Sequence, residues 1–310
     1  MKPISEFRPI IIGIDHGYGN IKTAHKIFLT GADRLHGGAI INEHILSYQD
    51  EQWVIGENHL TYSGEKTSDK GFYILTLAAI AEELQTRGFT DANVVIAAGL
   101  PLAWITTQRK AFKEYLSQDA DPVFTYKEIP YHLHIHKVLL FPQAIAAASL
   151  LGELKGEHIL ADIGNGTMNI VRIVDGMPQE KDLATETYGV SILVRQIRGI
   201  LSKKLGRNVE ERVIERILRE GSGATEDDLL SGTITETARE YSGEIIKRLN
   251  VYGYDPAYCM LHIFGGGGCL LKNYSDLSQA SGVTFYDDLC ANAKGFELLA
   301  ESKLKLMGER

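Results

Sequence analysis

The sequence predicts an α/β protein made of two related halves, and three observations carry that prediction. Strand-like and helix-like hydrophobic patterns alternate along the chain. The motif Asp-x-Gly-x-Gly, set between two apolar strand patterns, occurs twice: at Asp15, Gly17 and Gly19, and again at Asp162, Gly164 and Gly166. Glycine is over-used, with 31 among 310 residues against an ordinary ~7%. Many of these glycines gather at strand ends, in clusters at 13–19, 31–38, 164–166 and 265–268.

The elements follow in order. Residues 10–28 contain IIIGID, HGYGN and IKTAHKIF, which read as strand, turn and strand. Residues 73–87 have helical periodicity, 93–99 (NVVIAAG) form a buried-strand pattern, and 108–116 a further helix. Residues 132–141 read as a strand running into Pro142, and 143–154 as an alanine-rich helix with Pro142 or Gln143 in its first turn. The second half repeats the opening, with HILADI, GNGTM and NIVRIV across 158–174 forming strand, turn and strand. Helices are expected at 190–205, 210–220 and 233–249, with an acidic polar loop at 222–231. Residues 258–264 form a strand, 265–268 a glycine turn, 269–274 a short helix and 291–307 an amphipathic closing helix.

Charge narrows the function classes. With 32 Lys+Arg against 40 Asp+Glu the formal net charge is −8, which gives no counterion-release drive toward DNA phosphates or anionic lipid. Direct DNA binding and membrane binding are therefore not expected. Cys259, Cys269 and Cys290 are too few and too far apart for a zinc ribbon or a disulfide scaffold. The N-terminus has only a short apolar run before Asp15, and the longest apolar segment, 138–151, is interrupted by Pro142 and Gln143. It falls short of the roughly 20 residues needed to cross a bilayer, so a cytoplasmic protein is expected.

The glycine turns carry the chemistry. A hairpin turn that aims several backbone N–H groups at one point makes an anion nest, and an aspartate at the end of its first strand can hold Mg²⁺ through water. Two such hairpins facing each other would clamp one triphosphate, and phosphoryl transfer needs little beyond positioning and charge neutralisation. Lys22, on the strand after the first turn, could reach a phosphate. In IFGGGG, the backbone of Gly265, Gly266 and Gly267 can lie flat against an adenine or ribose. The chain contains neither a Gly-x-Gly-x-x-Gly in these turns nor a Gly-Lys-Ser/Thr, which removes support for dinucleotide and P-loop readings. His132, His134 and His136 alternate along a strand with Leu133 and Ile135 facing the core, the pattern of a polar outer face rather than a metal site. Trp53 and Trp104 have no basic residues interleaved around them and read as packing residues.

Taken together, these elements resemble the actin, Hsp70 and sugar-kinase superfamily: a first phosphate loop at 12–22, a connecting helix at 142–151, a second phosphate loop at 161–168, an adenosine loop at 265–268 and a closing helix starting Ala291-Asn292-Ala293-Lys294-Gly295. IDHGYGNIK resembles the first loop of the bacterial actin-like plasmid-segregation ATPases, the ParM/StbA-like group. Tyr188-Gly189-Val190-Ser191 and ANAKGF resemble their second-domain helix start and final helix. The resemblance implies an actin-like ATPase fold of two duplicated RNase H-like domains with a nucleotide cleft between them. Domain I would be 1–156 with an insertion at about 30–72. Domain II would be 157–290 with a helical subdomain at about 195–250, and 291–310 would return to domain I.

It further implies ATP and Mg²⁺ as cofactors. Asp15 would bind Mg²⁺ through water, Asp162 would orient the metal or the attacking water, and Gln143 would position that water. Gly17, Tyr18, Gly19, Asn20, Lys22, Gly164, Asn165, Gly166, Thr167, Gly189, Gly265, Gly266 and Gly267 would line the nucleotide. Gln143 is a glutamine, as in actin, where the best-known plasmid-segregation members have an acid. The implied function is an ATPase that polymerises head-to-tail with itself, for plasmid segregation through a small basic DNA-binding adaptor. A small-molecule kinase of the same fold is the alternative, but neither a Glu-x-Gly-His element nor zinc cysteines are present.

Overall fold

The computed structural model describes residues 3–35, 43–57, 66–67, 69–221, 223 and 225–309. Two glycines of the second cluster, Gly37 and Gly38, lie outside these residues, as does part of the expected 30–72 insertion. The chain forms two compact units, residues 1–151 with 290–310, and residues 152–289.

In the first unit, β1 (Ile10–His16), β2 (Asn20–Lys22) and β3 (Ile27–Leu29) form an antiparallel meander. The long second strand expected after the glycine turn is therefore two short ones. Thr23 breaks it, its N–H donating to the Lys26 carbonyl at 2.9 Å and its hydroxyl accepting from the Lys26 N–H at 3.0 Å. β7 (Asp91–Leu100) pairs parallel to β1, and β9 (Ile129–Pro142) parallel to β7. Four further strands, β4 (Ala32–Arg34), β5 (Ile45–Tyr48), β6 (Glu51–Ile55) and β8 (Val123–Tyr126), extend this sheet beyond β9 to nine strands among the described residues.

In the second unit, β10 (Glu157–Ile163), β11 (Met168–Val174) and β12 (Met177–Glu186) repeat the meander, and β13 (Cys259–Phe264) and β14 (Val283–Phe285) add to it in parallel. The spatial orders β3-β2-β1-β7-β9 and β12-β11-β10-β13-β14 have the same topology. The duplicated aspartates share a register as well, with Asp15 opposite Lys22 and Asp162 opposite Asn169, seven residues on in each hairpin. β12 escapes sequence reading because it is a polar edge strand, and Pro178 is tolerated where only one neighbour must be satisfied.

Side-chain alternation sorts the faces of the first sheet. Ile12 and Ile14 of β1 and Val94, Ile96 and Ala98 of β7 pack in one core with α1 (Gly71–Arg87) and α2 (Ile105–Leu116). α1 is buried all round from Gly71 to Leu84, so its acids need partners inside the protein. Glu83 accepts from Thr23, His25 and Arg87, and Glu82 from Tyr126 and Lys127. The opposite face carries Ile11, Val95, Ala97 and Leu139 against the closing helix α8 (Ala291–Leu306).

The helix expected over 143–154 is a single turn, α3 (Ile145–Ala148). β9 runs through Pro142, and Ala144 takes φ 63° and ψ −48°, outside the helical region, so Gln143 stands at a bend and not in a helix. In the second unit Ile159, Ala161 and Ile163 bury one sheet face under α4 (Val190–Leu205), α5 (Glu211–Glu220), α6 (Asp228–Val251) and α7 (Gly268–Tyr274). The acidic loop expected over 222–231 ends at Asp227, whose carboxylate caps α6 by accepting from the Leu230 N–H at 2.9 Å. Ser222 and Ala224 of that loop lie outside the described residues. No helix among the described residues is long and apolar enough to cross a membrane.

The β9 histidines lie on its outer side, each beside a different carboxylate: His132 by Asp91 at 3.0 Å, His134 by Asp121 at 2.7 Å and His136 by Glu309 at 3.7 Å. No group of three or more His, Cys, Asp or Glu among the described residues could hold a metal ion by itself. Trp53 and Trp104 both pack in or against the first core.

Candidate functional site

The first glycine turn joins β1 to β2. Asp15, the sixth of the seven β1 residues, shares its face with Ile11 and Gly13 and is 2% exposed. Its Oδ2 lies 3.1 Å from Lys22 Nζ, and its Oδ1 accepts from Gln143 Nε2 at 2.7 Å. Burial by itself would raise this carboxyl, but the charges of Lys22 and Lys66 and the hydrogen bonds from Lys22 and Gln143 outweigh it and hold the pKa below the ordinary carboxylate value. Asp15 is an anion at neutral pH inside a desolvated site.

Lys66 had no sequence signal, being one lysine in a polar stretch. It is 2% exposed, donates to the His16 carbonyl at 2.5 Å and sits over the rings of Tyr18, Phe72 and Phe112 at 5.4–6.0 Å. Burial pulls its pKa down to about 8. His16, buried beside it, is pushed to about 3 by burial and by the Lys66 charge, and is neutral. The Tyr18 ring packs edge-on to Phe72 in the core, so at this residue it is the backbone that the turn offers.

Thr30 orients that backbone. Its hydroxyl donates to the Gly17 carbonyl at 2.6 Å and its N–H to the Gly19 carbonyl at 3.1 Å. Because a trans peptide sets C=O and N–H on opposite sides, and no cis bond occurs among the described residues, the amides of Tyr18 and Asn20 point away from Thr30. The Gly17 N–H is itself bonded to the Asp15 carbonyl at 3.0 Å. Gly17 serves by lacking a side chain, since a Cβ there would lie 2.6 Å from the Asn20 oxygen.

The second turn uses a different clamp to the same end. The N–H groups of Val190 and Ser191, which open α4, donate to the Gly164 and Asn165 carbonyls at 3.1 and 2.9 Å. The amides of Asn165 and Gly166 are thereby turned away from the helix. Gly189 allows the approach, because a Cβ there would stand 2.3 Å from the Asn165 oxygen. Gly164 donates to the Thr167 carbonyl at 2.8 Å, closing the turn. Asp162 is buried at 7% exposure on the sheet face opposite the helices.

The glycine run after β13 seats against the same strand end. Gly267 N–H donates to the Ile163 carbonyl at 2.9 Å, and a Cβ on Gly265, whose φ is +84°, would lie 2.7 Å from Asp162 Oδ1. Gly266 faces open space. The structure thus brings Asp15, Lys22 and Gln143 together in the first unit. In the second it brings Asp162, the 164–167 turn, Gly189 and the 265–267 run together. Sequence reasoning missed Lys66 and Thr30, and Asn292, whose Oδ1 accepts from the Ala144 N–H at 3.0 Å.

Two units with the same five-strand order, each opening on an aspartate-bearing glycine hairpin, define the actin-like ATPase fold of duplicated RNase H-like domains. Residues 13–145 match the family described as the N-terminal domain of actin-like proteins, and the chain as a whole has the fold of actin homologues and ParM proteins. Among solved structures it is similar to an archaeal actin homologue, at 20% identity and a TM-score of 0.76, covering 94% of this chain and 99% of that one. A 15-stranded ParM filament from Clostridium botulinum matches at 18% identity and a TM-score of 0.77, covering 96% and 100%. The apo pSK41 ParM protein matches at 17% identity and a TM-score of 0.71, covering 98% and 100%. No curated protein sequence matches the chain.

Proposed function

We propose that this protein is an ATPase that binds ATP with Mg²⁺ and assembles head-to-tail into filaments serving plasmid segregation in the cytoplasm, through a small basic DNA-binding adaptor. The observation that carries the nucleotide reading is the pair of register-matched hairpins, each ending its first strand in a buried aspartate and each with its turn carbonyls tied down so that its amides face away from the clamp. An ADP complex of the archaeal actin homologue and the filament structures among the similar proteins support the reading.

The residues present fit the cofactors. Asp15 is charged, and both its oxygens already have partners, which suits a cation held through water more than one bound directly. When bound, Mg²⁺ supplies charge neutralisation to the phosphates. The amides of Tyr18, Asn20, Asn165 and Gly166 would bind phosphate oxygens, Lys22 would add charge, and Gly265–Gly267 would approach the adenosine. Gln143 gives its Nε2 to Asp15, so its Oε1 is the atom that would hold a water proton. Asp162 would orient that water.

The test is pelleting and light scattering with ATP, with ADP and with neither. Nucleotide-dependent polymer supports the reading, whereas turnover that requires an added small molecule, with no polymer, identifies a kinase. Gln143→Ala is expected to slow hydrolysis about a hundredfold while calorimetry finds nucleotide affinity unchanged. Thr30→Val keeps the side-chain shape but leaves the Gly17 carbonyl without its donor. It should weaken nucleotide binding by about 1 kcal/mol, and Thr30→Ser should retain wild-type affinity.

A further inference from the structure

We propose that Asn292, on the closing helix, is a positioning residue for Gln143, holding in place the strained peptide that aims it. The proposal rests on the reading of Gln143 given above. Gln143 is fixed at its own N–H, which donates to the Leu100 carbonyl at 2.9 Å, and at its side chain, which donates to Asp15. Immediately after it the chain folds back. The Ile145 N–H donates to the Gln143 carbonyl at 2.7 Å across Ala144, whose φ of 63° and ψ of −48° make a γ-turn of the hand that L-residues disfavour.

Such a turn persists only where its surroundings over-determine it. Asn292 supplies one constraint, accepting from the Ala144 N–H at 3.0 Å in a buried setting where that amide would otherwise go unsatisfied. Gly295, one turn further along α8, supplies the other by letting the helix approach the Ala146 carbonyl so closely that a Cβ would lie 2.0 Å from its oxygen. Without Asn292, Ala144 can relax toward negative φ, and the Gln143 side chain would swing away from Asp15. With glycine at 144 the same turn costs little, so the acceptor is no longer needed to hold the turn, although the buried amide still lacks its partner.

The experiment compares Asn292→Ala, Gln143→Ala, and Asn292→Ala combined with Ala144→Gly in the full chain. Three measurements are made: ATP affinity by calorimetry, steady-state turnover, and hydrogen exchange at the residue 144 amide without nucleotide. Asn292→Ala should speed that exchange, slow turnover by about ten- to hundredfold, as Gln143→Ala does, and leave affinity within about twofold of wild type. The added Ala144→Gly change should restore most of the turnover. Wild-type turnover in Asn292→Ala beside a slow Gln143→Ala would overturn the positioning role alone. A fast Gln143→Ala would overturn the reading beneath it. Loss of ATP affinity in Asn292→Ala, or no rescue by glycine, would assign Asn292 to general structure instead. Should the alanine variant not fold, Asn292→Leu removes the acceptor while keeping the side-chain volume, and the same outcomes are read from it.

Discussion

Asp15→Asn is expected to abolish the Mg²⁺ dependence of nucleotide binding and to cut turnover by about 10²–10³-fold. The substitution keeps an oxygen where Gln143 Nε2 donates and changes little in shape, so what it removes is charge. That charge is the anion between Lys22 and Lys66 in a site almost closed to solvent. With both ammonium groups left uncompensated, nucleotide-free protein should also lose about 3 kcal/mol of stability. Sign follows from the lowered pKa of Asp15: its contribution is present at all pH above the ordinary carboxylate value and is lost only as pH falls through the depressed folded value. The stability gap between variant and wild type should therefore be fully present near pH 6, where Lys66 is charged, narrow towards pH 8 as Lys66 loses its proton, and close in acid. Calorimetric titration of ATP with and without Mg²⁺ checks the first claim, and an Asp15→Asn protein that still binds more tightly with Mg²⁺ would remove Asp15 from the cation site.

Gly295→Ala should lower stability by about 3 kcal/mol and the Tm by roughly 6–12 °C, and should slow turnover besides. The new methyl group would stand 2.0 Å from the Ala146 oxygen, and both sides of that contact are backbone, so no side chain can rotate out of the way. Helix α8 must move off α3, taking with it Asn292 and the hydrogen bond to Ala144. Gly266→Ala, where the methyl would enter open space, is the matched control for stability, and thermal melts of the two variants make the comparison.

Legibility in the sequence tracked the distance over which each feature is determined. Asp15, Gly17 and Gly19 span five residues, and their chemistry needs only the strand before and after them. Helices α4, α5 and α8 announced themselves by periodicity along a single segment. The two glycine hairpins were legible because their turns carry the Asp-x-Gly-x-Gly signature. The Asp175-Gly176 turn went unread because the β12 strand after it is polar, and Gln49-Asp50 and Lys127-Glu128 adopt the same left-handed conformation with residues that do not favour it. Their strands, β5, β6 and β8, take pairing energy from the sheet to hold those turns. The alanine-rich run 144–148 has helix propensity, yet only one turn of helix forms, because a buried acceptor from α8 and the end of β9 override a local preference worth little per residue.

By itself, the sequence determined the α/β class, the duplication, and which two aspartates end glycine hairpins, because each is written in residues adjacent along the chain. Tertiary structure decided how those groups are presented. Gln143 reaches Asp15 from 128 residues away, and Asn292 holds Ala144 from 148 residues away. Burial among three aromatic rings pulls the Lys66 pKa down and the Asp15 carboxylate opposes that shift, and only folding brings these neighbours to it. A backbone bend against its own propensity, and a charge kept out of water, acquire their energies from neighbours that only folding supplies.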